Sequence, residues 1–348
     1  MIITQSSWVS SFQPLADWKT KKGVPAAIVT TDWIYNQGGY TGSDVNKIRL
    51  FVQDAANTWG AMYFLLGGDT NVVPYHTRNL VGDAIPNDTY YSDYDTDWIC
   101  EVHVGRASVT STAQITTFIN KVFTYEKNPP MTDYAKVAFF MGFDLYTNGS
   151  NEGGGLMQYI KTNYLPASWT YRKVYDTDAG NHHDNALMYL NQGNNLVNHA
   201  DHAYTEQMGT GATNHGWYIY NSEMSSLYNG TKQSVLYTLG CYAGNYQETC
   251  IGEAFVRNSN GGGAVFMGNS RYGWYMPYDS GQYSFLYDRN FFRSLFQQSH
   301  YRVGECFSDH KNDSTTSDDY YKYIFLSLIH ISEPTRLLSI SYAVFCLK

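Results

Sequence analysis

Charge is scarce in this chain. Asp, Glu, Lys and Arg together make up 16% of its 348 residues, against roughly a quarter in soluble domains. The net charge is −8, and no stretch concentrates Lys or Arg. Neutralising phosphates needs a basic stripe, so no nucleic-acid partner is expected. No apolar run approaches the roughly 20 residues that cross a bilayer, so no membrane span is expected either. The opening MIITQSSWVSSF lacks the charged start and apolar core of a signal peptide, which leaves a cytoplasmic protein or a missing true N-terminus. The five cysteines, at 100, 241, 250, 306 and 346, form neither a CxxC zinc pattern nor a dense disulfide framework. They leave the redox compartment open.

Aromatic residues supply what charge does not. They reach 16%, with 32 tyrosines, and polarity comes from Tyr, Asn, Ser, Thr and Gly. Such a surface is common in exported proteins and points outside the cell. Residues 327–348, SLIHISEPTRLLSISYAVFCLK, resemble the translation of a sequencing adapter at the end of a truncated gene. The alternative is a natural amphipathic tail. As an artefact the segment is expected to stand outside the fold, with Cys346.

Strand and helix patterns alternate along the chain. Residues 12–18 read as a helix, 24–34 as an apolar strand after a Gly turn, 45–59 as a helix, and 61–69 as a buried strand ending Gly-Gly-Asp. A strand over 99–104 and a helix over 111–127 follow, and Asn128-Pro129-Pro130 breaks the chain. A second series then runs through strands near 135–143, 169–175, 194–198, 233–241 and 262–270, with helices near 155–164, 185–191 and 250–258. The alternation predicts an α/β fold with mainly parallel sheets. The break predicts two subdomains, 1–130 and 131–326. In open parallel sheets functional groups collect beyond the carboxyl ends of the strands, where the chain puts Asp69, Asp144, His199 to His202, Cys241 and Ser270.

Two of these carry nucleophilic chemistry. Cys241 ends an apolar strand and opens the loop YAGNYQ ahead of a helix, a place where a thiol is accessible and a nearby imidazole favours its thiolate. A lone Cys is more often a small buried hydrophobe. His202 ends the strand NNLVN at the same edge. There it can exchange a proton with the thiol, although a turn histidine at the surface is the ordinary reading. His199, Asp201 and His202 with His182, His183 and Asp184 admit a metal-site reading, but the recognised zinc spacings are absent. Asp93, Asp95 and Asp97 present alternate carboxylates suited to a structural calcium ion, although the EF-hand glycine and glutamate are missing. A solvated acidic loop is the competing reading. No cofactor is required.

The order of motifs resembles the gingipain family of cysteine peptidases. FQPLADWKTKKG before a strand, LLGGDTNVVP, and ICEVHVGRASVTSTAQITTFINKVFTYEKNP look like the first half of its catalytic domain. NHADHAY is similar to the catalytic-histidine segment, usually Asn-Tyr-Thr-Gly-His-Gly-Ser. YTLGCYAGNYQETCIGEAFVR is similar to the catalytic-cysteine segment, with a second Cys nine residues on. The resemblance covers about residues 1–326. It implies a caspase-like fold and hydrolysis of protein or peptide substrates by a secreted or cell-surface enzyme. Cys241 would be the nucleophile, His202 the base, and Asp144 the acid that orients it.

Ala203 stands where the family has Gly, at a backbone N–H implied in the oxyanion hole, and Ala takes up φ > 0 less freely. Asn214-His215-Gly216 keeps a His-Gly pair, which makes His215 the fallback base. Asp201 neighbours His202, but adjacent side chains of an extended segment point to opposite faces. Glu152 matches the family's acidic pocket residue and would select Arg or Lys before the cleaved bond. Trp274 matches a pocket wall. Arg271, with no basic counterpart in the family, would select an acidic residue if it turned inward. The alternatives are a non-catalytic binding or scaffold relative and a metal-dependent hydrolase.

Overall fold

The computed structural model describes residues 1–335 except 131, 147–149, 212–215, 277, 278 and 280. The first half builds strands Ile2–Thr4 (β1), Ile28–Thr30 (β2) and Tyr63–Gly67 (β3), a hairpin of His76–Leu80 (β4) and Asp83–Asn87 (β5), and strand His103–Ala107 (β6). β1, β2, β3 and β6 form a parallel sheet in the order β2-β1-β3-β6. The helices Val9–Lys21, Asp44–Trp59 and Thr112–Glu126 accompany it.

The second half builds Val137–Gly142 (β7), Thr170–Tyr175 (β8), Leu196–Ala200 (β9), three short strands Ala203–Tyr204 (β10), Gln207–Gly209 (β11) and Tyr218–Tyr220 (β12), then Ser234–Thr238 (β13), Gly263–Asn269 (β14) and Leu328–Ile331 (β15). Its main sheet runs β15-β14-β13-β9-β7-β8, parallel except for β15. Strands β7, β9, β13 and β14 are buried along their whole length, which is why β7, β13 and β14 read as largely apolar runs rather than alternating ones, while β9 also buries Asn198 and His199.

Register decides where the site lies. His199 pairs with both Met141 and Thr238, so β7, β9 and β13 end level with one another. The segments carrying Asp144, His202 and Cys241 leave the sheet side by side. Helix Glu152–Asn163 presses on two of these ends: a Cβ on Gly153 would lie 2.5 Å from the Phe143 carbonyl oxygen and 2.6 Å from that of Ala200. The Gly-rich start of this helix is therefore a close-packing device. The sequence reading took it for loop and began the helix at 155.

Several expectations shift. The strand expected over 99–104 forms at His103–Ala107, in register with β3, and the strand expected over 24–34 shortens to β2 before a helix at Thr31–Tyr35. The segment excluded after residue 326 enters the fold. Leu328–Ile331 closes the sheet beside β14, and Glu333 pairs with Lys19 at 2.5 Å. Residues 336–348, Cys346 among them, lie outside the described residues.

Candidate active site

Cys241, His202 and Asp201 line one cavity of about 290 Å³, walled by Leu145, Tyr146, Leu239, Gly240, Gly273, Trp274 and Tyr275. Cys241 is partly exposed, whereas Cys100, Cys250 and Cys306 are buried. Burial raises the Cys241 pKa, with the Gly273 carbonyl accepting from its Sγ at 3.7 Å. The next residue, Tyr242, has φ +56°, a left-handed backbone that costs a bulky residue roughly 1–3 kcal/mol and concentrates at functional turns. Its N–H donates to the Arg271 carbonyl at 2.7 Å, which ties the turn to the loop after β14.

His202 Nε2 lies 3.0 Å from the Leu145 carbonyl oxygen. A carbonyl only accepts, so Nε2 carries a proton, and in the neutral ring Nδ1 keeps its lone pair. This orienting group is backbone and therefore absent from any reading of side chains. Asp144 leaves β7 one residue earlier. Its N–H donates to Asp176, and its Oδ1 accepts from the Tyr146 N–H at 3.2 Å. Asp201 is a brace: its Oδ1 accepts from the His202 N–H at 2.6 Å and its Oδ2 from the Gly211 N–H at 2.9 Å. His199 is a second brace that the sequence reading grouped with metal ligands. Its Nε2–H donates to the Gly209 carbonyl at 2.8 Å, its Nδ1 accepts from the Thr238 hydroxyl at 2.7 Å, and that oxygen accepts from the Gly240 N–H at 3.0 Å. Burial lowers the His199 pKa and keeps the ring neutral.

The other expected residues divide. Ala203 is in β10 and has no left-handed backbone; its methyl faces Gly240, where a Cβ would come within 2.5 Å of it. Trp274 forms a cavity wall. Glu152 does not line the cavity. Its carboxylate accepts from the Leu145 N–H at 3.1 Å and from Ser150, and although burial opposes ionisation, these hydrogen bonds hold its pKa below the usual value. Arg271 turns away from the cavity, donating to the Ala84 carbonyl at 3.1 Å, Asn245 at 3.1 Å and Gln247 at 2.5 Å. His215 lies outside the described residues.

Asp69 is an ion-pair partner of Arg257 at 3.2 Å, and Ser270 donates to the Pro86 carbonyl at 2.7 Å. Both join the two halves of the chain. Cys250 caps helix Ile251–Arg257, and burial raises its pKa strongly. Away from the site, Asp93, Asp95, Asp97 and Glu101 converge, each offering an oxygen within 4.8 Å of the others. They are the one such group of His, Cys, Asp or Glu among the described residues. Asp93 is 3% exposed and its Oδ1 has no partner among the described residues, the donor set and orphaned oxygen that a calcium ion suits.

Residues 1–334 match the family described as Peptidase family C25. The chain belongs to that family. Among curated proteins, this C25 chain is 24% identical over 283 residues to Lys-gingipain W83 of Porphyromonas gingivalis, covering 78% of its own length and 15% of the relative's. It is 23% identical over 280 residues to gingipain R2 of the same organism, covering 75% and 35%. Among solved structures, the Arg-specific cysteine proteinase gingipain R superposes with a TM-score of 0.79 at 19% identity, over 97% of this C25 chain and 78% of that one. The fold is caspase-like α/β. No helix among the described residues is long and apolar enough to cross a membrane.

Proposed function

We propose that this chain is the catalytic region of a cysteine endopeptidase, with its catalytic groups in the 131–326 subdomain. The observation that carries the reading is one partly exposed thiol, Cys241, sharing a cavity with an imidazole whose tautomer is set by the Leu145 carbonyl. In this mechanism Nδ1 of His202 takes the thiol proton, and the thiolate attacks the carbonyl carbon of the scissile bond. The tetrahedral oxyanion rests on the N–H groups of Cys241 and Ala203. The intermediate collapses, the leaving amine takes the proton from His202, and a thioester remains. Water, deprotonated by His202, then releases the acid and restores the thiol. Asp144 supports the imidazolium from the neighbouring strand end.

The substrates are proteins or peptides, cut after a basic residue by the charge of Glu152. This is supported by a carboxylate held ionised beside the cavity wall at Leu145 and by the names of the relatives. Arg271 is engaged elsewhere, which leaves an acidic preference without its cation. Calcium at Asp93, Asp95, Asp97 and Glu101 is structural. The low charge of the chain supports a secreted or cell-surface enzyme.

Cleavage of a peptide library, with and without prior thiol alkylation, tests the reading. Hydrolysis that alkylation abolishes is expected, with Glu152→Gln weakening selection of Arg or Lys. Activity that survives alkylation and is lost to a chelator would mark a metal-dependent hydrolase, and no turnover of any peptide a binding relative.

A further inference from the structure

Beside the cavity the surface carries a connected run of aromatic rings drawn from four separated parts of the chain. Tyr204 comes from β10, Tyr242 from the turn after the nucleophile, Tyr272 and Trp274 from the loop after β14, and Tyr320 from helix Asp319–Ser327. Successive ring centroids lie 5.2 Å apart for Tyr204 and Tyr242, 5.0 Å for Tyr242 and Tyr272, 5.9 Å for Tyr272 and Trp274, and 4.7 Å for Trp274 and Tyr320. Three of the rings are open to solvent: Tyr204 is 59% exposed, Tyr272 45% and Tyr320 37%.

Burying an aromatic ring is strongly favourable, so a contiguous exposed run of them marks a surface made to be covered. The run is continuous with the cavity at two points, because Trp274 is one of its walls and Tyr242 directly follows Cys241. The five rings themselves carry no charge. The adjacent guanidinium of Arg271, 5.6 Å from the Tyr242 ring, spends its donors on Ala84, Asn245 and Gln247 and faces Asp83 at 3.8 Å.

We infer that this aromatic run is an extended substrate subsite, which holds aromatic or prolyl side chains of the peptide on one side of the cleaved bond. The inference rests on the peptidase reading and adds a second determinant of selectivity to it. Extended chain advances about 3.3 Å per residue, so rings about 5 Å apart run alongside several substrate residues. Tyrosine faces stack on flat rings and on proline while the hydroxyls stay in water. No charged partner is called for, so the preference should be insensitive to salt.

The test compares two families of fluorogenic substrate: a short amide ending at the cleaved bond, and extended peptides with Phe, Pro or Ser at each flanking position. Wild type should prefer Phe or Pro over Ser on one side by about three- to tenfold in kcat/KM, the range one aromatic contact supplies. Tyr272→Ser and Tyr204→Ser, both at exposed positions, should bring that ratio close to one and cost more on the extended peptides than on the short amide. Turnover of the short amide with flanking positions that make no difference, or a ratio unchanged in both variants, would overturn the subsite and leave the peptidase reading standing. Turnover of no substrate would overturn the peptidase reading. Binding of the Phe-containing peptide to Cys241→Ala, measured by calorimetry at two salt concentrations, then judges the subsite alone. Binding weakened by Tyr272→Ser supports it, and no binding overturns it.

Discussion

At the residue scale the protein separates two cysteines by environment. Cys241 has access to a cavity and an oriented imidazole, whereas Cys250 is a buried helix cap. Cys241→Ala should therefore abolish peptide hydrolysis and leave the melting temperature nearly unchanged. Cys250→Ala should retain hydrolysis and lower thermal stability. His202→Ala should lower kcat by about 10²- to 10⁴-fold, the usual worth of a positioned general base. Burial raises the Cys241 pKa and no cation is among its perturbing groups, so the resting state is a thiol. Alkylation by iodoacetamide should accelerate throughout the alkaline range; a rate already at its plateau at pH 6 would instead mean a standing thiolate. That Cys241 and His202 would meet at one edge of the sheet was legible in the sequence because each follows an apolar strand. The Leu145 carbonyl was not, since a backbone acceptor leaves no mark on residue type.

At the scale of elements, helix Glu152–Asn163 positions the ends of β7 and β9 through its glycines. Gly153→Ala pushes a methyl into two carbonyl oxygens, whereas Gly155→Ala meets nothing within 4 Å. Gly155→Ala should stabilise the protein by about 0.5–1 kcal/mol, the helix preference of Ala over Gly. Gly153→Ala should destabilise it by more than that and lower kcat, as thermal melts and kinetics on the pair would show. The buried main-sheet strands were legible as apolar runs. The β4–β5 hairpin was not. Its two-residue turn is Val81-Gly82, at φ +53° and +79°, and a β-branched residue is a poor signal for a turn that favours Asn-Gly. Strands β10 to β12 hold two or three residues each, too few to show a period.

At the scale of the whole molecule, the Asn-Pro-Pro break at 128–130 falls between helix Thr112–Glu126 and β7. The joint between the halves was not legible, because it is made of long-range contacts: a core that packs Ile85, Cys100 and Tyr125 against the second half, and side-chain links such as Arg257 to Asp69 and Ser270 to Pro86. The acidic loop of the first half links stability to pH. Burial raises Asp93 to about 6 and Glu101 to about 7. Raised carboxyl pKa values mean that the folded state holds these protons more tightly than the unfolded chain. Their contribution is full below about pH 4 and is lost as pH rises through 6 to 7. A calcium ion at this loop would bind the ionised form, so added Ca²⁺ should raise the melting temperature at pH 8, much less at pH 5, and not at all in Asp93→Asn. An equal shift at both pH values would contradict the site.

The central claim is that one thiol does the chemistry, and covalent labelling tests it most directly. The intact chain is treated with a peptidyl thiol-reactive inhibitor, and the adduct is located by mass spectrometry alongside residual activity. The account predicts one adduct, on Cys241, that forms in step with loss of hydrolysis and far more slowly in His202→Ala. An adduct on Cys250, Cys100 or Cys306 that tracks the loss of activity, or full activity with Cys241 modified, would contradict it.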